Sequence, residues 1–392
     1  MVPRFSQQVK DTMDSFIMGL VDVAARPGMI SFATGLPDNS LFDTEGLVRA
    51  VEEILREDPA KPLQYDTSSG YIPLRKRIAD RCRKEMGFSV DWEDILLTNG
   101  SQSCFDLMGK MFLDHGDNMV IENPGYLGAM QSFSAYGPNM IGVDVNEEGA
   151  DVRQLRAALA EDPKFFYAIP NHQNPSGNSY SDEVRRQVVE CMKDTDCLLL
   201  EDDAYGELGY GGRVGRAMKS MMPDSTVFTG SFSKTISPGM RVGWMIVPTW
   251  MRKDADKALE ASCLQSNTFC QRVIDRFMED NDYDAYVGRL RKAYKSKKDF
   301  FVDEMEERLP DTMSWNNPDG GMYVWLKSPE GTDADKLFET LVERKLVVMP
   351  GHPFHVRGGE TTIRLNFATP SEEQIRQGIK VLGDTCRDLY GN

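Results

Sequence analysis

The chain has few histidines, no paired cysteines and no excess of positive charge, and each shortage argues against a class of protein. Only four of its 392 residues are histidines, and no HExxH-type spacing occurs, so we expect no metal site. Its seven cysteines are scattered without a CxxC pair, which favours reduced thiols in a cytoplasmic protein. The net charge of −16 argues against nucleic acid as a partner.

Long hydrophobic segments and nucleotide-binding loops are also missing. Asp22 interrupts the apolar stretch at residues 16–21, so we expect neither a signal peptide nor a membrane span. No GxxxxGK[ST] motif occurs, and the glycines at 209, 211 and 212 do not complete a GxGxxG motif. What remains is an ordinary globular composition in a chain long enough for two domains.

Helical periodicity alternates with short apolar segments between about residues 45 and 290. The pattern predicts helices over residues 45–57, 73–86, 101–113, 181–193 and 290–309, and strands over residues 118–122, 165–169, 197–201, 226–229 and 242–247. This alternation indicates an α/β fold in which helices cover both faces of a mostly parallel sheet.

The C-terminal hundred residues differ from this pattern. Strands are predicted over residues 321–326 and 361–367, with a helix over residues 333–343 between them, which indicates a smaller α+β unit. We therefore predict a large domain over residues 46–290 and a small domain over residues 291–392. Residues 1–45 lack a core of their own and are expected to form an arm that packs with the small domain.

Polar clusters follow four successive predicted strands. They contain Tyr126, Asn174, Asp202 and Lys234, and in a parallel sheet such clusters gather at the carboxyl edge. Lys234 lies among hydroxyls and glycines, with Arg241 seven residues later. A confined lysine near other cations loses its proton readily, and a neutral amine can hold an aldehyde cofactor as a Schiff base.

The phosphate of such a cofactor has candidate partners as well. Ser101 and Gln102 open a predicted helix, whose N-terminal backbone N–H groups suit an anion. Ser231, Ser233 and Arg241 would add hydroxyl and cationic contacts.

An aromatic cofactor ring would find partners in the same clusters. Asp202 suits a protonated ring nitrogen, Tyr126 offers a ring for stacking, and Asn174 and Tyr205 suit a phenolic oxygen. Each residue alone has a simpler interpretation, such as a β-turn at residues 174–177 or a solvated loop acid at Asp202. Their order along successive strands favours a shared site.

These motifs resemble the fold-type I, pyridoxal-phosphate-dependent aminotransferases of class I/II, and in particular the branch that contains 2-aminoadipate, kynurenine and aromatic aminotransferases. The likeness spans roughly residues 28–370 and is carried by ISFATGLPD at 30–38, QYDTSSGYIPLR at 64–75, NPSG at 174–177, SFSKTISPGMRVGW at 231–244 and RLNF at 364–367. The resemblance implies an aspartate-aminotransferase-like fold with a seven-stranded-type sheet in the large, cofactor-binding domain.

The resemblance also implies an activity and a cofactor. The cofactor is pyridoxal 5′-phosphate, and an amino group would move between an L-amino acid (aromatic, aliphatic or aminoadipate-like) and a 2-oxo acid such as 2-oxoglutarate or pyruvate. Lys234 would be the Schiff-base lysine and proton shuttle, and Asp202 would pair with the ring nitrogen. Tyr126 would stack on the ring, while Asn174 and Tyr205 would contact the phenolic oxygen.

The resemblance also implies contacts to the cofactor phosphate and to the substrate. Phosphate contacts are implied for Ser101, Gln102, Ser231, Ser233 and Arg241. Tyr65 would reach the phosphate of the neighbouring subunit, which implies a homodimer with shared active sites. Arg364 would clamp the substrate α-carboxylate, assisted by Asn174 and by the backbone N–H of Gly35.

Two departures from the family pattern bear on the substrate. Thr34 replaces a glycine beside the substrate, and Met18 stands where members that accept acidic side chains would place an arginine. Met18 and its apolar neighbours suggest an apolar pocket for the substrate side chain, and the packing of a helix explains these residues equally well. The neighbours are Met13, Phe16, Ile17 and Leu20.

Three alternatives share part of this pattern. Ser231 and Lys234 satisfy the SxxK signature of penicillin-binding proteins, but neither an SDN nor a KTG motif accompanies them. Some proteins with this domain are transcription factors, although here only about thirty residues precede the domain and the chain is acidic. A lyase reaction on the same cofactor, by β-elimination or decarboxylation, would use the same Lys234 and Asp202 and stays open.

Overall fold

The computed structural model describes residues 3–391, so residues 1, 2 and 392 lie outside the described part. The helices in it are α1 (Gln7–Asp11), α2 (Phe16–Ala24), α3 (Thr44–Glu57), α4 (Ile72–Arg81), α5 (Ser101–Phe112), α6 (Leu127–Ser134), α7 (Val152–Leu159), α8 (Asp182–Met192), α9 (Arg252–Cys263), α10 (Thr268–Asp280), α11 (Tyr283–Arg308), α12 (Ala334–Glu343) and α13 (Glu372–Tyr390). Within that range, no helix has both the length and the apolarity needed to cross a membrane.

The strands form one large sheet and two smaller ones. They are β1 (Ile30–Ser31), β2 (Ile95–Thr98), β3 (Asn118–Asn123), β4 (Asn139–Asn146), β5 (Gly149–Ala150), β6 (Phe165–Ala168), β7 (Leu198–Asp202), β8 (Thr226–Ser231), β9 (Gly243–Ile246), β10 (Ser314–Trp315), β11 (Tyr323–Lys327), β12 (Leu346–Val347), β13 (Met349–Pro350) and β14 (Thr362–Asn366).

The large sheet has the strand order β2-β9-β8-β7-β6-β3-β4-β5. Neighbours from β8 to β4 run parallel, whereas β9 is antiparallel to both of its neighbours and β5 is a two-residue partner of β4. Helices α5, α6 and α9 pack on one face, and α7 and α8 contribute to the other. The expected α/β fold with a mostly parallel, helix-covered sheet is confirmed.

The predicted site-bearing strands are adjacent in this sheet. Strands β3, β6, β7 and β8 are consecutive neighbours and parallel, so their carboxyl ends lie at one edge. Strand β2 is antiparallel to β9, which is antiparallel to β8, so β2 also ends at this edge. The sheet therefore gathers the loops that follow five strands.

A four-stranded antiparallel sheet, β10-β11-β14-β13, forms in the C-terminal part of the chain. Helices α11 and α13 pack against each other, and α12 contacts α13. The N-terminal segment joins this region because Ile30 pairs with Leu346 in a two-stranded parallel sheet, and Leu20 packs against Trp325 and Val347.

Two helix boundaries differ from the sequence-based prediction for local reasons. The helix predicted over residues 73–86 changes at Cys82 into a π-helical turn, which ends at Gly87 in the left-handed conformation. The helix predicted from residue 290 begins earlier, at Tyr283, because the Asp282 carboxylate accepts a hydrogen bond from the Ala285 N–H at 2.9 Å.

Candidate active site

Lys234 lies three residues beyond β8, at the carboxyl edge of the sheet. Its ammonium donates a hydrogen bond to the Gly35 carbonyl at 2.8 Å. Burial lowers the pKa of Lys234, Tyr323 opposes this, and the positive charges of Arg364 and Arg241 lower it further. The neutral amine needed for attack on an aldehyde is thus more accessible here than on a surface lysine.

Asp202 ends strand β7 and is almost completely buried. The Tyr167 hydroxyl donates to Oδ2 at 2.8 Å, and the Thr229 hydroxyl donates to Oδ1 at 3.0 Å. The pKa of Asp202 is raised to about 6, because the effect of burial outweighs the lowering effect of these two hydrogen bonds. Its register explains the second contact, because Asp202 lies directly opposite Thr229 in the β7–β8 pair.

The N-terminus of α5 and Arg241 form a cradle for an anion. No side chain caps α5, and Gly100 precedes it with a φ of 84°. The Arg241 guanidinium lies against Gly100 and donates to the Asn99 carbonyl at 3.0 Å. A Cβ atom on Gly243 would come within 2.9 Å of the Ser101 backbone nitrogen, so this glycine keeps the first turn of the helix open.

Hydroxyl groups border the same cradle. Ser231 Oγ donates to Ser233 Oγ at 2.8 Å, and the Ser233 N–H donates to Ser231 Oγ at 3.1 Å. The Gln102 side-chain amide donates to the Gly128 carbonyl at 2.7 Å, which ties α5 to α6. The cradle thus combines a helix N-terminus, a guanidinium and two hydroxyls, a set that suits a phosphate.

Tyr126 follows β3 and closes one side of the site. Its ring packs edge-on against Phe105 with the ring centroids 6.2 Å apart. Burial raises the pKa of Tyr126 to about 12, so its hydroxyl stays protonated at neutral pH.

A hydrogen-bonded network joins Asn174, Tyr205 and Arg364. Asn174 Nδ2 donates to the Tyr205 hydroxyl at 3.4 Å, and Arg364 Nη1 donates to Asn174 Oδ1 at 2.8 Å. Arg364 Nη2 donates to the Ala33 carbonyl at 2.6 Å. Arg364 is 2% exposed, and its Nε has no hydrogen-bond partner within residues 3–391.

These side chains surround one cavity of about 160 Å³. Its lining comprises Ser101, Gln102, Phe105, Tyr126, Ile169, Asn174, Asp202, Ala204, Tyr205, Ser231, Ser233, Lys234, Pro238 and Arg241. The structure therefore brings together ten of the sequence-predicted residues. A larger cleft of about 1040 Å³, bordered by Asp144, Trp315 and Arg357, includes none of the residues predicted for the site.

The other predicted residues lie at or beyond the rim. Gly35 contacts Lys234 and Arg364 contacts Asn174, so both belong to the same site. Tyr65 is 75% exposed and borders a separate surface groove.

The N-terminal residues that suggested an apolar pocket differ in how deeply they are buried. Met18 is 60% exposed and Met13 is 42% exposed, whereas Leu20 is buried. Phe16 packs edge-on against His352 with the ring centroids 6.0 Å apart. The side chain of Ile17 lies outside the described residues. Met18 is not among the residues that line the cavity of about 160 Å³, and Leu20 packs as a core residue.

Sequence reasoning missed three site residues. Tyr167 and Thr229 hold the Asp202 carboxylate, and the Tyr323 hydroxyl lies 3.1 Å from the Tyr205 hydroxyl. All three lie within buried strands, where their side chains look like ordinary core positions. The available signal was a residue with a hydroxyl group in a strand adjacent to one that carries a predicted site residue.

The residues fit pyridoxal 5′-phosphate. Asp202 receives two hydroxyl donors but no ion pair within the described range, so a protonated ring nitrogen would supply its missing cation. The anion cradle lies in the same cavity as Lys234. The fold and the site together define an enzyme that uses pyridoxal 5′-phosphate.

Comparison with known proteins identifies the family. Residues 27–382 match the family described as aminotransferase class I and II, and the chain belongs to this family. The chain is 33% identical to the aromatic-amino-acid aminotransferase 1 of Thermococcus litoralis, over 98% of this chain and 94% of that one. It is a pyridoxal-phosphate-dependent aminotransferase, and its substrates are small molecules.

Solved structures agree with this assignment. The α-aminoadipate aminotransferase of Thermus thermophilus, complexed with N-(5′-phosphopyridoxyl)-L-leucine, has a TM-score of 0.91 at 32% identity, covering 98% of this chain and 97% of that one. The kynurenine aminotransferase of Pyrococcus horikoshii has a TM-score of 0.94 at 32% identity, with the same coverage. The aspartate-aminotransferase-like fold, the cofactor and amino-group transfer are thereby confirmed, and the lyase alternative is not favoured.

Proposed function

We propose that the amino donor is an L-amino acid with an aromatic or aliphatic side chain, and that the acceptor is a 2-oxo acid such as 2-oxoglutarate or pyruvate. Relatives named for aromatic amino acids, 2-aminoadipate and kynurenine support this range of substrates. An aminoadipate-like donor is the second candidate, which the 2-aminoadipate transaminase among these relatives favours.

The observation that carries the aromatic or aliphatic assignment is the surroundings of Arg364. Its guanidinium carbon lies 4.5 Å from the centre of the Tyr323 ring and 5.0 Å from the centre of the Phe354 ring. An amino acid whose α-carboxylate bound Arg364 would meet aromatic walls. A second carboxylate in its side chain would be buried there without a partner of its own, which is unfavourable.

The chemistry assigns a task to each residue of the cavity. Pyridoxal 5′-phosphate, when bound, supplies an aldehyde and an electron-accepting ring. Lys234 Nζ would hold the aldehyde covalently until the amine of the incoming amino acid takes its place. The freed Lys234 amine would then accept the α-proton of the amino acid, for which its lowered pKa is suited. Asp202 would hold the ring nitrogen in its protonated form. Arg364 would bind the α-carboxylate through its two amino groups.

Orientation of the cofactor falls to the remaining residues. Ser101, Gln102, Ser231, Ser233 and Arg241 would hold the phosphate. Tyr126 would stack on the ring, and Asn174 and Tyr205 would donate to the phenolic oxygen. Asn174 would also release Arg364 Nη1 for the substrate, with the Gly35 N–H assisting at the carboxylate.

Three further properties belong to this proposal. The protein would be a homodimer with shared active sites, in which the exposed Tyr65 reaches the cofactor phosphate of the partner subunit. Residues 46–290 and 291–392 would act as the large and small domains, with residues 1–45 as an arm against the small one. Free thiols at all seven cysteines support a cytoplasmic location.

Substrate profiling tests the assignment. Phenylalanine, leucine and 2-aminoadipate would each be offered with 2-oxoglutarate and with pyruvate, and the glutamate or alanine formed would be measured. We expect kcat/KM for phenylalanine or leucine to exceed that for 2-aminoadipate by about tenfold, because the extra carboxylate lacks a partner.

The reverse preference would contradict the aromatic or aliphatic assignment and favour an aminoadipate-like substrate. An ammonia assay without any 2-oxo acid serves as the control for side reactions. Release of ammonia and pyruvate from serine, whose Cβ carries a leaving group, without an acceptor would instead indicate a lyase.

A further inference from the structure

Tyr323 occupies the point where the proposed cofactor contacts meet the proposed substrate clamp. It lies at the start of β11 and is 1% exposed. Its hydroxyl is 3.1 Å from the Tyr205 hydroxyl, and the two rings meet edge-on with the centroids 5.8 Å apart. A Cβ atom on Gly35, whose carbonyl accepts from Lys234, would come within 2.6 Å of the Tyr323 oxygen.

The hydroxyl of Tyr323 determines what the Tyr205 hydroxyl can do. Tyr205 has one proton to donate, and it already accepts from Asn174 Nδ2 at 3.4 Å. If the Tyr205 proton points to a phenolic oxygen, the proton shared by the two tyrosines must come from Tyr323. A donor that itself accepts a hydrogen bond is polarised and donates more strongly.

The ring of Tyr323 acts on a different residue. The Arg364 guanidinium lies over it at 4.5 Å, with Phe354 as a second ring at 5.0 Å. Strand pairing fixes this arrangement, because Trp325 lies opposite Arg364 and Tyr323 lies opposite Asn366 in the β11–β14 pair. Stacking restrains the plane of the guanidinium, which sets the direction of its two amino groups.

We propose that Tyr323 is a positioning residue with two separable parts. Its hydroxyl donates to Tyr205 and thereby directs the Tyr205 proton toward the cofactor, and its ring holds Arg364 at the angle that receives a substrate carboxylate. This inference rests on the proposed roles of Tyr205 and Arg364. It does not depend on which amino acid is the substrate.

Two variants separate the parts, and both are examined as holoenzymes. Tyr323→Phe keeps the ring and removes the hydroxyl, whereas Tyr323→Leu removes both. The first readout is the apparent pKa of the nitrogen that links Lys234 to the cofactor, followed by absorbance. The titratable and charged groups that face Tyr323 are Tyr126, Tyr205, Lys234 and Arg364.

We expect Tyr323→Phe to raise the apparent pKa of the linking nitrogen by about half a unit. A weaker hydrogen bond to the phenolic oxygen stabilises its negative charge less, so the proton on the neighbouring nitrogen leaves less readily. In a Tyr205→Phe background the same substitution should produce no further shift, because the effect passes through Tyr205.

The second readout is the affinity for propionate, a carboxylate without an amino group, measured from the same absorbance band at constant ionic strength. Tyr323→Phe should leave it unchanged, whereas Tyr323→Leu should weaken it roughly fivefold through loss of the stacked ring. Tyr323→Met, which also lacks a ring, replaces the leucine variant if that variant does not fold.

Tyr210→Phe is the matched control, since its hydroxyl donates to the Gly321 carbonyl at 3.2 Å, two residues from Tyr323. It should leave both readouts at the wild-type values. An unchanged pKa in Tyr323→Phe, an equal shift in Tyr210→Phe, or a shift that persists in the Tyr205→Phe background would overturn the role of the hydroxyl. Unchanged propionate affinity in the ringless variant would overturn the role of the ring. Failure of the proposed substrate range would appear only in the amino-acid profile.

Discussion

Asp202 is a residue whose burial disfavours the charge that the proposed chemistry needs. Its pKa is raised to about 6, whereas an aspartate in an unfolded chain titrates near its ordinary value of about 4. Between these two values the folded protein binds a proton that the unfolded chain has already lost. Stability of the cofactor-free protein therefore falls as the pH rises through this window, and above about pH 6 the ionised carboxylate is destabilising.

We expect Asp202→Asn to raise the melting temperature of the cofactor-free protein at about pH 8. At about pH 5 the difference from the wild type should become small, because Asp202 is then mostly protonated in the folded state. The same substitution should weaken cofactor binding by about tenfold or more, since it removes the counter-charge for the ring nitrogen. Thermal unfolding at both pH values and a fluorescence titration with cofactor measure these effects.

Glu122→Gln provides the matched control. Glu122 is also buried with a pKa raised to about 7, but it accepts from Tyr180 and Gln173 and does not line the cavity. It should share the pH-dependent stabilisation while keeping the wild-type affinity for cofactor. If Asp202→Asn were less stable than the wild type at about pH 8, the destabilising effect assigned to its charge would be wrong.

At the scale of elements, Tyr283 connects α11 to the loops of the site. Its hydroxyl lies 2.9 Å from Glu207 Oε2 and 2.9 Å from Thr235 Oγ1. Thr235 is the residue after Lys234, and Glu207 lies two residues beyond Tyr205. One buried hydroxyl therefore ties the first turn of α11 to both loops.

We expect Tyr283→Phe to lower the free energy of unfolding by about 1–3 kcal/mol, because it removes a buried partner of Thr235 and Glu207. Tyr286→Phe on the same helix is the control. Its hydroxyl lies 3.5 Å from the Leu41 carbonyl, a longer contact than either one made by Tyr283, so the loss should be about 0.5 kcal/mol. Urea unfolding of both variants makes the comparison, and equal losses would contradict the bridging role.

Local sequence patterns predicted the strands and their ends but not the contacts between strands. The clusters that contain Tyr126, Asn174, Asp202 and Lys234 could be placed together because parallel strands end at one edge. Thr229 and Tyr167 could not be assigned, because their hydroxyls meet Asp202 only through the register of β6, β7 and β8. Register depends on pairing across the sheet, which a single strand does not encode.

Strands β2 and β4 were missed for related reasons. Residues 95–98 form a buried strand whose continuous apolar run cannot be distinguished by periodicity from a buried helical segment. Residues 139–146 mix glycine, asparagine and aspartate with apolar residues, and half-buried positions obscure the alternation. Even so, the five predicted strands sufficed to place the edge of the sheet where the cavity lies.

At the scale of the whole molecule, the exposed segment before α4 bears on assembly. Leu63 and Tyr65 are 70% and 75% exposed and border one surface groove with Phe269. Exposed apolar side chains at a groove are expected where another protein surface binds. A second copy of the chain would cover them and bring Tyr65 to the partner's cofactor phosphate, as the proposed dimer requires.

Mixed dimers test whether Tyr65 serves the partner's site. Lys234→Ala and Tyr65→Ala subunits, each weakly active or inactive alone, would be co-expressed with different affinity tags and the mixed dimer purified. One of its two sites would combine an intact Lys234 with an intact Tyr65 from the other subunit, and the second site would carry both substitutions. We expect about half of the wild-type activity per dimer, because symmetry leaves one complete site.

The alternative predicts a different result for the same preparation. If Tyr65 served the site of its own subunit, one site of the mixed dimer would lack Lys234 and the other would lack Tyr65. Its activity would then equal the mean of the two parent variants, with no recovery. In the control dimer, Leu264→Ala replaces Tyr65→Ala. Leu264 is also an exposed apolar residue, but it is not a proposed phosphate contact. Recovery with Tyr65→Ala to half of the wild-type value therefore requires a site built from both chains.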